Sequence, residues 1–144
     1  MRRQAIMLMC ALSLSAVAAN YAKPNRQETF GDVTVYYNAF ASTTLSADVA
    51  KASDLTRSKG LNVLNITVLK AAKPAPSVVK GTFKDLTGRP KTLTFKQVTD
   101  KGWTSYIAQF PVEQPDTYTF TIEVKTGNEN THSFSFNQEL YPGT

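Results

Sequence analysis

Cysteine and histidine are nearly absent from this chain of 144 residues: Cys10 and His132 are the single examples of each. Cys10 lies in an N-terminal segment that reads as removable. One imidazole then remains, too few to assemble a zinc or copper site of the usual ligand types within one chain. No metal or cofactor is expected. A cysteine nucleophile is excluded on the same ground, and a Ser-His-acid triad would need His132 beside a serine in a recognisable motif, which is missing. No catalytic residue is assigned, and His132, beside Phe134, reads as a half-buried or surface strand residue. The lack of cysteine also excludes the disulfide-stapled scaffolds of small secreted proteins, so packing has to supply the stability.

Long apolar runs are lacking too, with one short exception. Arg2 and Arg3 precede an apolar stretch from Ala5 to Leu14, followed by Ala16-Val17-Ala18-Ala19. A basic start, a brief apolar stretch and small residues ahead of a cut form the layout of a secretory signal peptide, here 1–19. Cleavage is expected after Ala18 or Ala19, and Met7 to Met9 do not make the pattern that lipoprotein processing requires at Cys10. Counted from Ala5 to Ala19 the run is fifteen residues, short of the about 20 needed to cross hydrocarbon. The expectation is an exported, periplasmic protein that does not span the membrane. Removing nineteen residues leaves 125 of 144, which suits one domain burying roughly two thirds of its unfolded surface. Asn65-Ile66-Thr67 has the form of a glycan acceptor, but it sits in a strand-like alternation, whereas acceptors favour exposed loops.

Acidic residues are scarce in one region. The formal charge of +5 falls to +3 without Arg2 and Arg3. Lys70, Lys73, Lys80, Lys84, Arg89, Lys91, Lys96 and Lys101 face only Asp85 and Asp100 in that stretch. Lysines spread through strands keep sheet edges and solvent faces soluble. They could also attract an acidic envelope polymer, so Lys80, Lys84, Lys91 and Lys96 are a candidate basic face. Nucleic acid is not an expected partner, because these cations are not interleaved with the stacking aromatics of single-strand binders.

Helical periodicity is sparse, and alternation dominates. Residues 20–28 are polar, contain Pro24 and read as an extended tail before a domain at 29–144. Val33, Val35 and Tyr37 alternate with Thr34, Tyr36 and Asn38, which predicts a first strand over about Phe30 to Phe40. Leu61 to Leu69 is apolar on both faces and predicts a central strand buried from both sides. Further strands are expected at Val78 to Leu86, Leu93 to Val98, Trp103 to Phe110, Tyr118 to Val124 and Ser133 to Leu140. Turn chemistry at Thr87-Gly88-Arg89-Pro90, Asp100-Lys101-Gly102, Gln114-Pro115-Asp116 and Gly127-Asn128-Glu129-Asn130 separates them, and such short connections imply antiparallel neighbours. Ser46 to Ala52 is the one helix expected, capped by Ser46. Seven short strands of this kind predict an all-β, immunoglobulin-like antiparallel sandwich with one short helix. Asp116 and Tyr118 open the sixth strand, where such sandwiches tie a phenol to upstream backbone; the alternative is that Tyr118 is a plain core aromatic.

The segments Phe30-Gly31-Asp32-Val33-Thr34-Val35-Tyr36-Tyr37-Asn38-Ala39-Phe40, Leu45, Asp48-Val49-Ala50-Lys51-Ala52, Arg57-Ser58-Lys59 and Leu64-Asn65-Ile66-Thr67-Val68 resemble a family of secreted proteobacterial proteins grouped as a domain of unknown function. The resemblance implies an immunoglobulin-like sandwich and export, and carries no established activity. Asn38 near the end of one strand, with Arg57 and Lys59 on the loop entering the next, form a candidate anion-recognising loop, since an arginine fork and an ammonium suit carboxylate or phosphate. The competing reading gives Arg57 and Lys59 to loop carbonyls and to Asp48 or Asp54.

Ser77-Val78-Val79-Lys80 and Lys125-Thr126-Gly127 match two short motifs of penicillin-interacting serine enzymes. That chemistry needs serine and lysine three apart on a helix. Val78-Val79 favours a strand, on which those positions point to opposite faces. The function expected is therefore a non-catalytic binding or accessory module of the cell envelope, partnered by an envelope protein or an acidic polymer. A small carboxylate-dependent hydrolase and a surface-filament subunit are the alternatives.

Overall fold

Val33, Val35, Tyr37 and Ala39 turn one way along their strand and are buried, while Thr34, Tyr36, Asn38 and Phe40 turn the other way and are not. The same period of two organises nearly every segment of the computed structural model, which describes residues 26–144. The leader expected at 1–19 and most of the tail expected at 20–28 lie outside those residues. The strands are β1 (Gln27–Phe30), β2 (Val33–Ala41), β3 (Leu61–Lys70), β4 (Lys73–Pro74), β5 (Ser77–Lys84), β6 (Lys91–Leu93), β7 (Lys96–Asp100), β8 (Trp103–Pro111), β9 (Asp116–Thr126) and β10 (His132–Leu140). A single 3-10 turn, Ser42–Thr44, and the helix α1, Ala47–Ala52, join β2 to β3. The Ser46 hydroxyl caps α1 by accepting from the Val49 N–H at 3.2 Å, with Asp48 in the first turn, as its sequence predicts.

Two antiparallel sheets face each other. One has the order β1-β2-β3-β8-β7 with β4 paired to β3, and the other the order β10-β9-β5-β6. The all-β sandwich expected from the alternation is the fold. Some boundaries differ for local reasons. The first expected strand is two strands, because Gly31 at φ +62° lets the chain reverse between Phe30 and Val33, a conformation glycine adopts without steric cost. Residues Gln27 and Glu28, expected in the tail, pair with Tyr36 and Val35. The expected strand from Leu93 to Val98 is also two, and they belong to different sheets: Leu93 pairs with Gly81, whereas Lys96 pairs with Ile107. Leu86, expected in a strand, is exposed in the turn that follows β5.

β3 is central but not buried on both faces. Leu64, Ile66 and Val68 point into the core, while on the outer face Leu61, Asn65, Thr67 and Leu69 are half-buried and only Val63 is closed off. The connection carrying α1 lies over that spot. Gln109, opposite Val63 in register, holds Thr56 through both backbone groups, accepting its N–H at 3.0 Å and donating to its carbonyl at 2.7 Å.

Between the sheets runs a column of rings contributed by both. Tyr37 of β2 stacks on Phe136 of β10 at 4.2 Å, Phe136 on Phe120 of β9 at 5.0 Å, Phe120 meets Phe110 of β8 edge-on at 5.3 Å, and Phe110 meets Phe83 of β5 at 5.2 Å. Each such ring contributes about 1.5–3 kcal/mol by burial, and offset or edge-on pairs add about 0.5–1.5 kcal/mol. Polar bonds join the sheets as well. The Tyr106 hydroxyl on β8 accepts the N–H of Ser77, the first residue of β5, at 2.7 Å. Lys70 at the end of β3 pairs with Glu129 in the turn after β9, and that bond holds the Lys70 ammonium above its ordinary range.

Replacing Tyr106 by Phe keeps the ring but leaves the Ser77 N–H without its acceptor. A loss of about 1–2 kcal/mol is expected, read as a lower urea midpoint with unchanged slope. An unchanged midpoint would show that this tie contributes nothing.

Candidate functional site

At one end of the sandwich, β5 stops at Lys84, β6 starts at Lys91, β8 stops at Pro111 and β9 starts at Asp116. The turns Thr87-Gly88-Arg89-Pro90 and Glu113-Gln114-Pro115 are thereby brought together. Two adjoining hollows result, of about 330 Å³ and about 250 Å³, which share Asp85, Lys91, Pro111 and Tyr118. The larger adds Glu113, Gln114 and Asp116, and the smaller adds Lys84 and Arg89 above Phe83. One hollow thus carries three carboxylates against one ammonium, and the other three cations against one carboxylate.

None of these charges takes part in an ion pair among the described residues, where the ion pairs are Lys70 with Glu129 and Lys96 with Asp54. Asp85 accepts the Thr87 N–H at 3.1 Å and its hydroxyl at 2.9 Å, both on Oδ1. Asp116 Oδ1 accepts the Thr117 N–H at 2.8 Å. Those bonds orient the two carboxylates, and the second oxygen of each takes part in no hydrogen bond among the described residues. Tyr118 lies on the boundary between the hollows. Its side chain is packed against Phe83 and Phe110 and only 8% exposed, and its hydroxyl takes part in no hydrogen bond among the described residues. Burial, then the charges of Asp116, Asp85 and Glu113, push the phenol above its ordinary range. It is consequently a neutral hydrogen-bond donor at physiological pH. A neutral donor between an acidic and a basic wall can bind and orient a polar ligand.

With this geometry, the comparison with known proteins is decisive for kinship. The profile of a domain of unknown function, DUF4426, matches residues 27–143. The chain belongs to the DUF4426 family. A crystal structure of a DUF4426 family protein from Pseudomonas aeruginosa is similar to it at 41% identity and a TM-score of 0.76, covering 82% of this chain and 95% of that one. Two structures of FetP from uropathogenic Escherichia coli share the fold at lower identity. One is a copper-bound variant (13%, TM-score 0.61, covering 82% of this chain and 95% of that one). The other is the as-isolated protein, recombinantly expressed in the periplasm (12%, TM-score 0.62, covering 82% and 94%). No curated protein matches the chain. The DUF4426 match identifies no catalytic family, and no helix among the described residues is long and apolar enough to cross a membrane.

The residues singled out in the sequence fall in several places. Asn38 faces Asn65 across β2 and β3, three residues before the strand ends, so about 10 Å along the strand separates it from that end. Arg57 donates to the Thr43 carbonyl at 3.3 Å, and Asp54 is held by Lys96 instead. No hydrogen bond among the described residues joins Asn38 to Arg57; the strand runs on past Asn38, and the arginine serves a loop carbonyl. Lys59 lies on the same end as the hollows, its carbonyl bound by the Gly143 N–H, without lining either.

Of the candidate basic face, Lys84 and Lys91 meet at the smaller hollow, and Lys80 and Lys96 do not line it. Lys80, opposite Glu123, and Lys84 stand on the outer face of the four-stranded sheet, Lys91 is at its rim, and Lys96 is on the other sheet beside Ile107. The change of sheet after Leu93 is what separates them. Tyr118 is a core aromatic rather than a tie to upstream backbone, and the phenolic tie belongs to Tyr106. Sequence reasoning missed Asp85, Arg89 and Glu113, whose signal was their place in two turns that the fold then gathers.

A group whose pKa is raised on folding contributes stability below its unfolded value, about 10 for tyrosine, and the contribution is lost as pH rises through the folded value. Tyr118→Phe removes that loss. The variant is expected to lose less stability than the wild type between about pH 9 and 11, measured by urea unfolding at each pH. Parallel decline of the two proteins would show that the hydroxyl is not confined.

Proposed function

We propose that this DUF4426 protein is an exported, non-catalytic binding or accessory module of the bacterial cell envelope that takes its ligand at the Tyr118 end of the sandwich. The observation that carries the reading is a pair of hollows of opposite charge over a buried phenol that has no hydrogen-bond partner among the described residues. Unpaired charges and an unbonded donor converging on a concavity are what a recognition site requires. Supporting the compartment are the basic start, short apolar run and small residues at 1–19, together with the expression of a FetP neighbour in the periplasm.

Copper binding, stated for a FetP variant, does not carry over. Cysteine and methionine, the soft copper ligands, occur in this chain only at Cys10, Met1, Met7 and Met9. Among the described residues no three His, Cys, Asp or Glu side chains gather in a group able to hold a metal ion. Asp85, Glu113 and Asp116 thus line a hollow without forming a metal cage.

Expressed with its leader in a bacterial host, the protein is expected in the osmotic-shock fraction with a mass that fits cleavage after Ala18 or Ala19. A photo-crosslinking residue at Thr87, on the rim of the smaller hollow, is expected to give an adduct in cells that the same residue at Tyr36, on the outer sheet face, does not. Retention in the cytoplasm with the leader intact would overturn the export, and equal adducts from both positions would overturn the site.

A further inference from the structure

We infer that the two hollows together bind a small zwitterion, a free amino acid or short peptide, with its ammonium among Asp85, Glu113 and Asp116 and its carboxylate among Lys84, Arg89 and Lys91. This rests on the reading of the Tyr118 end as a binding site and names what occupies it.

The charge layout selects the ligand. A simple anion fits the smaller hollow but leaves the three carboxylates of the larger one with Lys91 alone, and a simple cation leaves the three cations of the smaller one with Asp85 alone. A metal ion is not matched by the acidic wall, because its carboxylates do not form a group able to hold one. An ammonium makes fewer demands: it is a compact charge with three donors, satisfied by oxygens on one side of a hollow. Asp85 and Asp116 each keep one oxygen free for such a donor, their Oδ1 atoms being committed to Thr87 and Thr117. On the other wall the Arg89 guanidinium can take a carboxylate in two parallel bonds, with Lys84 and Lys91 as point charges.

Tyr118 supplies the element between the poles. Its ring is fixed by Phe83 and Phe110, so the hydroxyl is held at the shared boundary of the hollows. A peptide bridging them would place a carbonyl there to accept its proton. Pro111 and Phe83 give the floor an apolar surface suited to the short carbon backbone of such a ligand. The combined space is on the scale of small-molecule sites.

Calorimetric titration of the mature protein with glycylglycine, N-acetyl-glycylglycine and glycylglycinamide tests the assignment. Glycylglycine is expected to bind, and loss of either its ammonium or its carboxylate to weaken binding by about tenfold or more. The exposed substitutions Glu113→Gln and Arg89→Gln, which leave the core untouched, are expected to weaken glycylglycine severalfold. Tyr118→Phe is expected to weaken it by about threefold. Free glycine binding more tightly than glycylglycine would assign the site to amino acids, and the reverse order to peptides. A capped probe that binds as tightly as glycylglycine overturns the inference, as does the absence of heat up to about 10 mM probe. Should that happen while the Thr87 adduct persists, the zwitterion is wrong and the site stands. If the adduct is lost as well, both fall.

Discussion

The sandwich depends on the contact between rings contributed by both sheets. Tyr37 and Phe110 come from one sheet, Phe136, Phe120 and Phe83 from the other, and each ring bears on the next. Without a disulfide, nothing covalent keeps the sheets in register. Shape does that work instead: interiors are as dense as organic crystals, and a ring seated between two others fixes both lateral positions. The polar ties, Tyr106 to Ser77, Lys70 to Glu129 and the Gln138 amide to the Ala39 carbonyl, are set by that register.

The strands could be read from the sequence because burial is one-sided. Where one face meets the core and the other meets water, period two is written directly into residue type, as in Val33 to Ala39 and Phe120 to Val124. Reading failed where a single residue breaks the period without changing the composition. Gly31 splits one apolar run into a hairpin, and Thr94 with Phe95 carries the chain between sheets without any turn chemistry to mark the crossing. β3 misled for a different cause: Leu61, Val63 and Leu69 on its outer face are apolar, yet only one short connection is there to cover them.

The candidate site was less legible than the fold. Its charged residues sit in turns that were recognisable as turns, but which turns share an end depends on strand pairing. β5 lies beside β9 across a long sequence separation, and no local pattern announces that neighbour. The basic face chosen in sequence relied on nearness along the chain. Lys96 illustrates the weakness of that assumption: it follows Lys80, Lys84 and Lys91 along the chain, yet lies on the other sheet.

Phe83 belongs to both halves of the molecule. It ends the ring column and it also lines the smaller hollow. Pro111 and Glu113 arrive from one sheet, Lys84, Asp85, Lys91 and Asp116 from the other, so the position of Glu113 against the other charges is gauged by how closely Phe83 and Phe110 approach. A change of side-chain volume deep in the core therefore resets a dimension at the surface. In an evolving lineage, drift in those two rings would shift Glu113 against the charges of the opposite sheet with every charged residue still in place.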